Sequence, residues 1–248
     1  NWHFDKYGNP DVNYYIEKIH NRNDYKWTHP VHEVLTYIGN DKENKVYTDL
    51  FTVNHYPDTS KSRGSYLPLL ELSVKENPDD DRNMHYLGRE YMYYKKWNES
   101  IDTLIKHLSL PSATWKDERS ASMRFISRCY QNLNRYEEAK MWLNKAIEET
   151  PYLRDPYVER GMLSYNLKEW EDVINYLNKA LEIKTHQKTY INETFSWNYT
   201  IYDLLSIAYY YTNDFDKSLE NVNIAINMEP DNERLINNKK LIENKISR

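Results

Sequence analysis

Only one cysteine, Cys129, and five glycines occur in 248 residues, and no apolar run nears the length of about 20 residues that a membrane-spanning helix requires. A lone cysteine excludes an internal disulfide framework, and its place in an apolar helical pattern marks a buried structural thiol rather than a nucleophile. Five scattered glycines exclude a phosphate-cradling loop, and neither a zinc-type Cys/His spacing nor a Ser-His-Asp arrangement is evident. Charge of one sign is missing as well. The 33 Lys and Arg and 38 Asp and Glu are interspersed and leave a net charge of −5, with no basic stripe for nucleic acid and no polybasic cluster for an anionic membrane. No signal-peptide pattern opens the chain, and these absences together fit a reducing, cytoplasmic setting. The first residue is Asn1 rather than Met, which points to a fragment or a processed chain. Sequons at Asn98, Asn192 and Asn198 carry no weight in a chain so rich in asparagine.

What is present is 40% hydrophobic and 15% aromatic, enough for a sizeable core or a stack of smaller ones. Four segments share one grammar: "YKKWNESIDTLIKHL", "LNRYEEAKMWLNKAI", "LKEWEDVINYLNKAL" and "TNDFDKSLENVNIAI". An aromatic residue, Trp97, Tyr136, Trp170 or Phe215, is followed three residues later by Ser100, Ala139, Val173 or Ser218. Four further on come Leu104, Leu143, Leu177 and Val222, and three beyond those His107, Ala146, Ala180 and Ala225. Nine residues before each aromatic stands a small residue, Gly88, Ser127, Gly161 or Ser206, where one helix must let another approach. The aromatics lie 39, 34 and 45 residues apart. One interval equals the tetratricopeptide period, and the other two imply loop insertions. The expected fold is mainly α, a TPR-like helical-repeat solenoid over 61–248. It begins with a half repeat, "YLPLLELSVKENP", and ends in a polar capping helix, "DNERLINNKKLIENKI".

Residues 1–60 read as short strands and loops. "KVYTDLFTVNHY" (45–56) has strand-like composition, and "YGNPD" supplies turn chemistry. "KWTHPVHEVL" (26–35) reads as an extended segment that concentrates Trp27, His29, His32 and Glu33. His32 could offer a neutral imidazole to a cation, and Glu33 could accept a proton, yet on a strand adjacent side chains point to opposite faces, so the two could not easily serve one ion. A hydrogen-bonded structural histidine is the competing reading. "NPDDDR" (77–82) has Asp-x-Asp spacing, but a proline before it and a helix after it make Asp79, Asp80 and Asp81 a helix cap, with Asp81 as the expected N-cap and no bound cation. The tyrosines of "YMYY" (91–94) and "YYY" (209–211) divide between core and exposed surface in a way the sequence does not sort.

Three of these stretches resemble a known family. "YKWTHPVHEVL", then "VNHYPDTSKSRGSYLPLLELSVKENPDDDRNMHYLGREY", then "WKDERSASMRFISRCY" resemble, in order, the end of the catalytic domain, the junction and the repeat entry of family 2 glycosyltransferases that carry C-terminal tetratricopeptide repeats. The resemblance implies that 1–60 is the end of a GT-A-type domain, that His32 lies beside a Mg²⁺ or Mn²⁺ ion and the donor diphosphate, that Trp27 also borders the nucleotide-sugar, and that Glu33 is catalytic. It implies a protein or glycan acceptor, or a second copy of the chain, on the repeats. The nucleotide-binding strands and the catalytic Asp-x-Asp would lie upstream, so the chain alone is not expected to catalyse transfer. The alternative is a non-catalytic adaptor whose repeats bind a peptide or protein.

Overall fold

The computed structural model describes residues 1, 3–4, 8, 10–17, 19–56, 58 and 64–247. By contacts the chain divides into two compact units: Asn1–Arg135 with Lys188–Ile191, and Tyr136–Gln187 with Asn192–Arg248.

The first unit opens with two antiparallel strand pairs, β1 (His3–Phe4) with β2 (Pro10–Val12), and β3 (Tyr25–Thr28) with β4 (Val34–Tyr37). Four helices follow: α1 (Tyr66–Glu76), α2 (Asp81–Tyr93), α3 (Trp97–Ser109) and α4 (Lys116–Asn132). The expected strand at 45–56 is absent. Val46, Tyr47, Leu50 and Tyr56 are 69–93% exposed there, and strand-forming side chains favour a strand only where a pleated, half-buried surface receives them. The junction between strand region and repeats, expected at residue 60, falls in 59–63, outside the described residues, as do Tyr7 and Asn9 of the expected turn.

The second unit contains α5 (Tyr136–Glu149), α6 (Arg154–Asn166), α7 (Trp170–Glu182), a 3-10 turn at Thr194–Ser196, α8 (Thr200–Tyr211), α9 (Phe215–Met228) and α10 (Glu233–Ile246). Val158, Val173, Leu177, Ile201 and Leu205 form its core. The insertions inferred from the long intervals are the 110–115 and 183–199 connections.

The repeat grammar has a structural cause. Trp97, Tyr136, Trp170 and Phe215 are each the first residue of a helix, and each is entered through the same turn. Two residues earlier Lys95, Asn134, Lys168 and Asn213 have φ of 57–63°. The N–H that follows each of them bonds to a carbonyl five residues back, Lys96 to Tyr91, Arg135 to Tyr130, Glu169 to Ser164 and Asp214 to Tyr209, all at 2.9 Å. This is a Schellman closure: a left-handed residue ends one helix and satisfies its last carbonyls within a three-residue connection. Close helix approach follows from the small residues. A Cβ on Gly88 would meet Leu104 Cδ2 at 2.5 Å, and one on Gly161 would meet Leu177 Cδ2 at 2.6 Å. Where serine stands on the second helix of a pair, its hydroxyl donates to the small residue's carbonyl, Ser100 to Gly88 at 2.7 Å and Ser218 to Ser206 at 2.8 Å.

The half repeat is α1, which buries Leu67 and Leu70. The final helix α10 is capped by the Asn232 side chain and buries Leu235 and Ile242, while Leu241 faces solvent. Cys129 is fully buried and donates to Ser100 Oγ at 3.3 Å, with burial pushing its thiol pKa up, as a structural thiol requires.

Candidate functional site

The stretch "KWTHPVHEVL" is a β-hairpin. Trp27 pairs with Leu35 and Thr28 with Val34, so His29 to Glu33 form the connection, and His32 stands in a turn rather than on a strand. His29 and His32 both have left-handed backbone, φ 70° and 56°. Conformations of that kind cost about 1–3 kcal/mol and persist where surrounding contacts over-determine them. Here the contacts are many. Val31 is buried with Leu67, Leu70, Tyr86 and Leu87. The His29 ring bridges Thr28 Oγ1 and Asp80 Oδ2, both at 2.9 Å. The His32 ring stacks on Tyr86 with centroids 3.9 Å apart, meets the Tyr66 edge, and presents Nε2 to Arg89 Nη2 at 3.3 Å. Its carbonyl accepts from Arg82 Nη2 at 3.4 Å. The hairpin tip is thus clamped onto α1 and α2.

Trp27 and Glu33 are exposed on the same hairpin, whereas His32 packs inward. His32 Nε2, the atom expected to meet Mg²⁺ or Mn²⁺, faces the Arg89 guanidinium instead, while the expected donor-site Trp27 and catalytic Glu33 are exposed. The capping reading of "NPDDDR" holds with one shift: the N-cap is Asp80, not Asp81, and its Oδ1 accepts from Asn83 N at 2.8 Å. The cap thereby serves both helix and hairpin, since its other oxygen meets His29. Of the tyrosine runs, Met92 and Tyr209 are buried, and Tyr93, Tyr94 and Tyr211 are exposed.

A second grouping lies inside the first unit and was not singled out by the sequence. His85 of α2 and His107 of α3 are fully buried, and Glu118 of α4 is 5% exposed. Ser122, one turn beyond Glu118, reaches both rings: Oγ is 2.7 Å from His85 Nδ1 and 3.0 Å from His107 Nδ1. His107 Nε2 lies 3.6 Å from Glu118 Oε1, and the Tyr190 hydroxyl donates to Glu118 Oε2. The Nε2 atom of His85 has no hydrogen bond. Leaving such a buried atom unsatisfied costs about 1–3 kcal/mol. Burial holds the His85 imidazole neutral, with a pKa down to about 3. Burial alone would raise Glu118, but the imidazoles of His85 and His107 and the hydrogen bonds from His107 and Tyr190 outweigh it and bring the carboxyl to about 2. Burial, with the neighbouring Glu118 charge, pushes the Tyr190 hydroxyl upward, so it remains a donor. The one sequence signal for this grouping was His107, standing where the other three repeats have alanine.

Residues 125–152 match the Tetratricopeptide repeat family. No curated protein sequence matches the chain. Among solved structures, MamA is similar at 17% identity over 73% of this chain and 99% of its own, with a TM-score of 0.55. YrrB, described as a TPR protein with an unusual peptide-binding site, is similar at 15% identity over 71% of this chain and 83% of its own, TM-score 0.52. Pseudomonas aeruginosa pilF is similar at 12% identity over 72% of each chain, TM-score 0.53. At such identities the likeness speaks to fold alone, and it agrees with the four repeated turns: the helical part of this chain has a TPR-like helical-repeat fold.

Proposed function

We propose that the chain is a protein-interaction module whose repeats grip an extended polypeptide segment. The supporting observation is the way the first unit holds Lys188–Ile191 of its own chain. Tyr190 enters as an aromatic anchor, stacked near Tyr86 with centroids 6.3 Å apart, tilted against Trp115 at 5.5 Å, and hydrogen-bonded to Glu118. The next residue, Ile191, is buried and its carbonyl accepts from Arg124 Nη2 at 2.9 Å. An aromatic side chain in a desolvated pocket beside a backbone carbonyl held by a charged donor is how interfaces concentrate binding energy. A partner's peptide with an aromatic-aliphatic pair would be gripped the same way, and the peptide-binding site in YrrB's description agrees with such a use of the fold. The test is a trans-complementation. A labelled peptide with the sequence of residues 187–192 should bind a Tyr190→Ala chain, measured by fluorescence polarisation, and bind wild type at least about tenfold more weakly because the site is already filled in cis. No binding to either, or equal binding to both, sinks the reading.

A second reading keeps the glycosyltransferase resemblance. Ile19, Val46, Tyr47, Leu50 and Tyr56 are 69–93% exposed, an apolar display that favours coverage by further protein, which a catalytic domain would supply. In that reading Trp27 and Glu33 face the covering domain, His32 positions the hairpin through Tyr86 and Arg89, and the ion's ligands come from outside this trio. Nucleotide-sugar turnover by the natural full-length protein tests it: Glu33→Gln should slow transfer, and absence of turnover with any nucleotide-sugar removes the reading.

A further inference from the structure

The grouping of His85, His107 and Glu118 carries an inference independent of partner binding. We propose that these three side chains form a buried site for one divalent transition-metal ion of the Zn²⁺ class, tying α2, α3 and α4 together. One donor atom of each lies within 4.8 Å of the other two. A tetrahedral ion with bonds of about 2.0–2.2 Å wants its ligands roughly 3.4 Å apart.

Three further observations point to a ligand. The Nε2 atom of His85 is buried without a hydrogen bond, although Ser122 meets Nδ1 of both rings, and Nε2 of His107 has only Glu118 Oε1 beside it, 3.6 Å away. The His85 nitrogen is the atom that still lacks a partner. Outer contacts are of the kind that orient metal ligands: a hydroxyl oxygen able to accept from both Nδ1–H groups, and a Tyr190 hydroxyl on the carboxylate. Finally, His107 occupies a position that packs as fully buried alanine at Ala146, Ala180 and Ala225. Packing alone does not call for an imidazole there.

Two imidazoles and one carboxylate suit Zn²⁺ or Co²⁺; Mg²⁺ and Ca²⁺ prefer oxygen ligands in larger number.

The experiment uses the whole chain, stripped with a chelator and titrated with Co²⁺, whose tetrahedral complexes absorb visible light far more strongly than octahedral ones. Wild type should take up one Co²⁺ per chain with an intense visible band, lose the band to Zn²⁺, and melt at higher temperature with Zn²⁺ than without. His107→Ala is the central variant, since alanine is the residue of the other repeats. It should keep its circular dichroism spectrum and lose metal affinity by more than a hundredfold. Ser122→Ala should weaken binding about 10–100-fold, the usual effect of losing an orienting contact. Should His107→Ala fail to fold, Glu118→Gln, which preserves side-chain volume, is read instead. Absence of a tetrahedral band in wild type, or the same band and affinity in a folded His107→Ala or Glu118→Gln chain, overturns the site.

Discussion

Gly161→Ala tests whether the small residue of each first helix is dictated by the second. A Cβ at Gly161 would stand 2.6 Å from Leu177 Cδ2 and 2.8 Å from Cγ, and Leu177 is fully buried with little room to swing. Two effects oppose each other. Alanine improves helix propensity by about 1 kcal/mol, while overpacking of this kind costs about 1–3 kcal/mol, so the variant should lose roughly 0–2 kcal/mol. The fourth repeat supplies the remedy, because there the small position is Ser206, which has a Cβ, and the facing position is Val222, one carbon shorter than leucine. Leu177→Val alone should cost about 0.5–1.5 kcal/mol by removing buried hydrocarbon. Combined with Gly161→Ala it should cost less than the sum, with a coupling of about 1–2 kcal/mol. Urea unfolding followed by far-ultraviolet circular dichroism gives all four corners of the cycle, provided the slope m is unchanged. Stabilisation of Gly161→Ala by about 1 kcal/mol, the full propensity gain, would refute the clash, and so would additivity in the cycle.

Asp80→Ala should destabilise by about 0.5–2 kcal/mol, since it removes the cap on Asn83 N and the partner of His29, whereas Asp81→Ala should cost only a few tenths; equal losses in chemical denaturation would contradict the cap assignment. Lys168→Gly should stabilise by up to about 1 kcal/mol, because φ 61° strains a side chain more than a glycine, and Lys168→Val should destabilise; thermal melts that rank them the other way count against the turn. Ala180→Trp should cost about 1–3 kcal/mol through overpacking at a fully buried position, checked by the same melts. Acid should weaken the fold in a defined direction. The folded-state pKa values of His85 (about 3 against 6.5) and Glu118 (about 2 against 4.5) both lie below their ordinary values, so the folded chain binds fewer protons than the unfolded one between them. Stability from these groups is complete above about pH 6.5 and is lost as pH falls. His85→Gln should flatten the metal-free stability profile between pH 6.5 and about 3, and an unchanged profile would show that His85 titrates normally.

The repeats were legible because their cause is local and recurs four times: aromatic start, small residues, leucine or valine, then alanine. The turns between helices were not, since lysine at 95 and 168 gives no sign that its backbone will be left-handed. That conformation is imposed by the closure of the preceding helix. Residues 45–56 misled because their composition fits a strand, while a strand needs a neighbour to pair with and a surface to pack on. Asp80 rather than Asp81 caps α2 because the helix begins one residue earlier than sequence suggests, and the cap's second oxygen meets His29, 51 positions away. The buried grouping was invisible for a similar reason: His85, His107 and Glu118 lie on three different helices and meet only through packing. His32 is conspicuous in sequence, but that its ring stacks on Tyr86 and meets Arg89 depends on contacts more than 50 residues away.

Comparison among a chain's own repeats separates these cases better than residue type does, because equivalent positions share a backbone environment. Three residues before each small residue stand His85, Arg124, Val158 and Asp203, all at most 6% exposed. Val158 does what the position asks of a repeat and joins a hydrophobic core. The other three carry groups that are expensive to bury, and each has a particular engagement: His85 in the grouping with Ser122, Arg124 on the carbonyl of Ile191, and Asp203 in a two-pronged pair with Arg234 at 2.7 and 2.9 Å. Since packing is satisfied by valine at this position, the polar residues are there for what they hold. For Arg124 that is a backbone segment, for Asp203 the terminal helix, and for His85 the partner is the one still missing from Nε2.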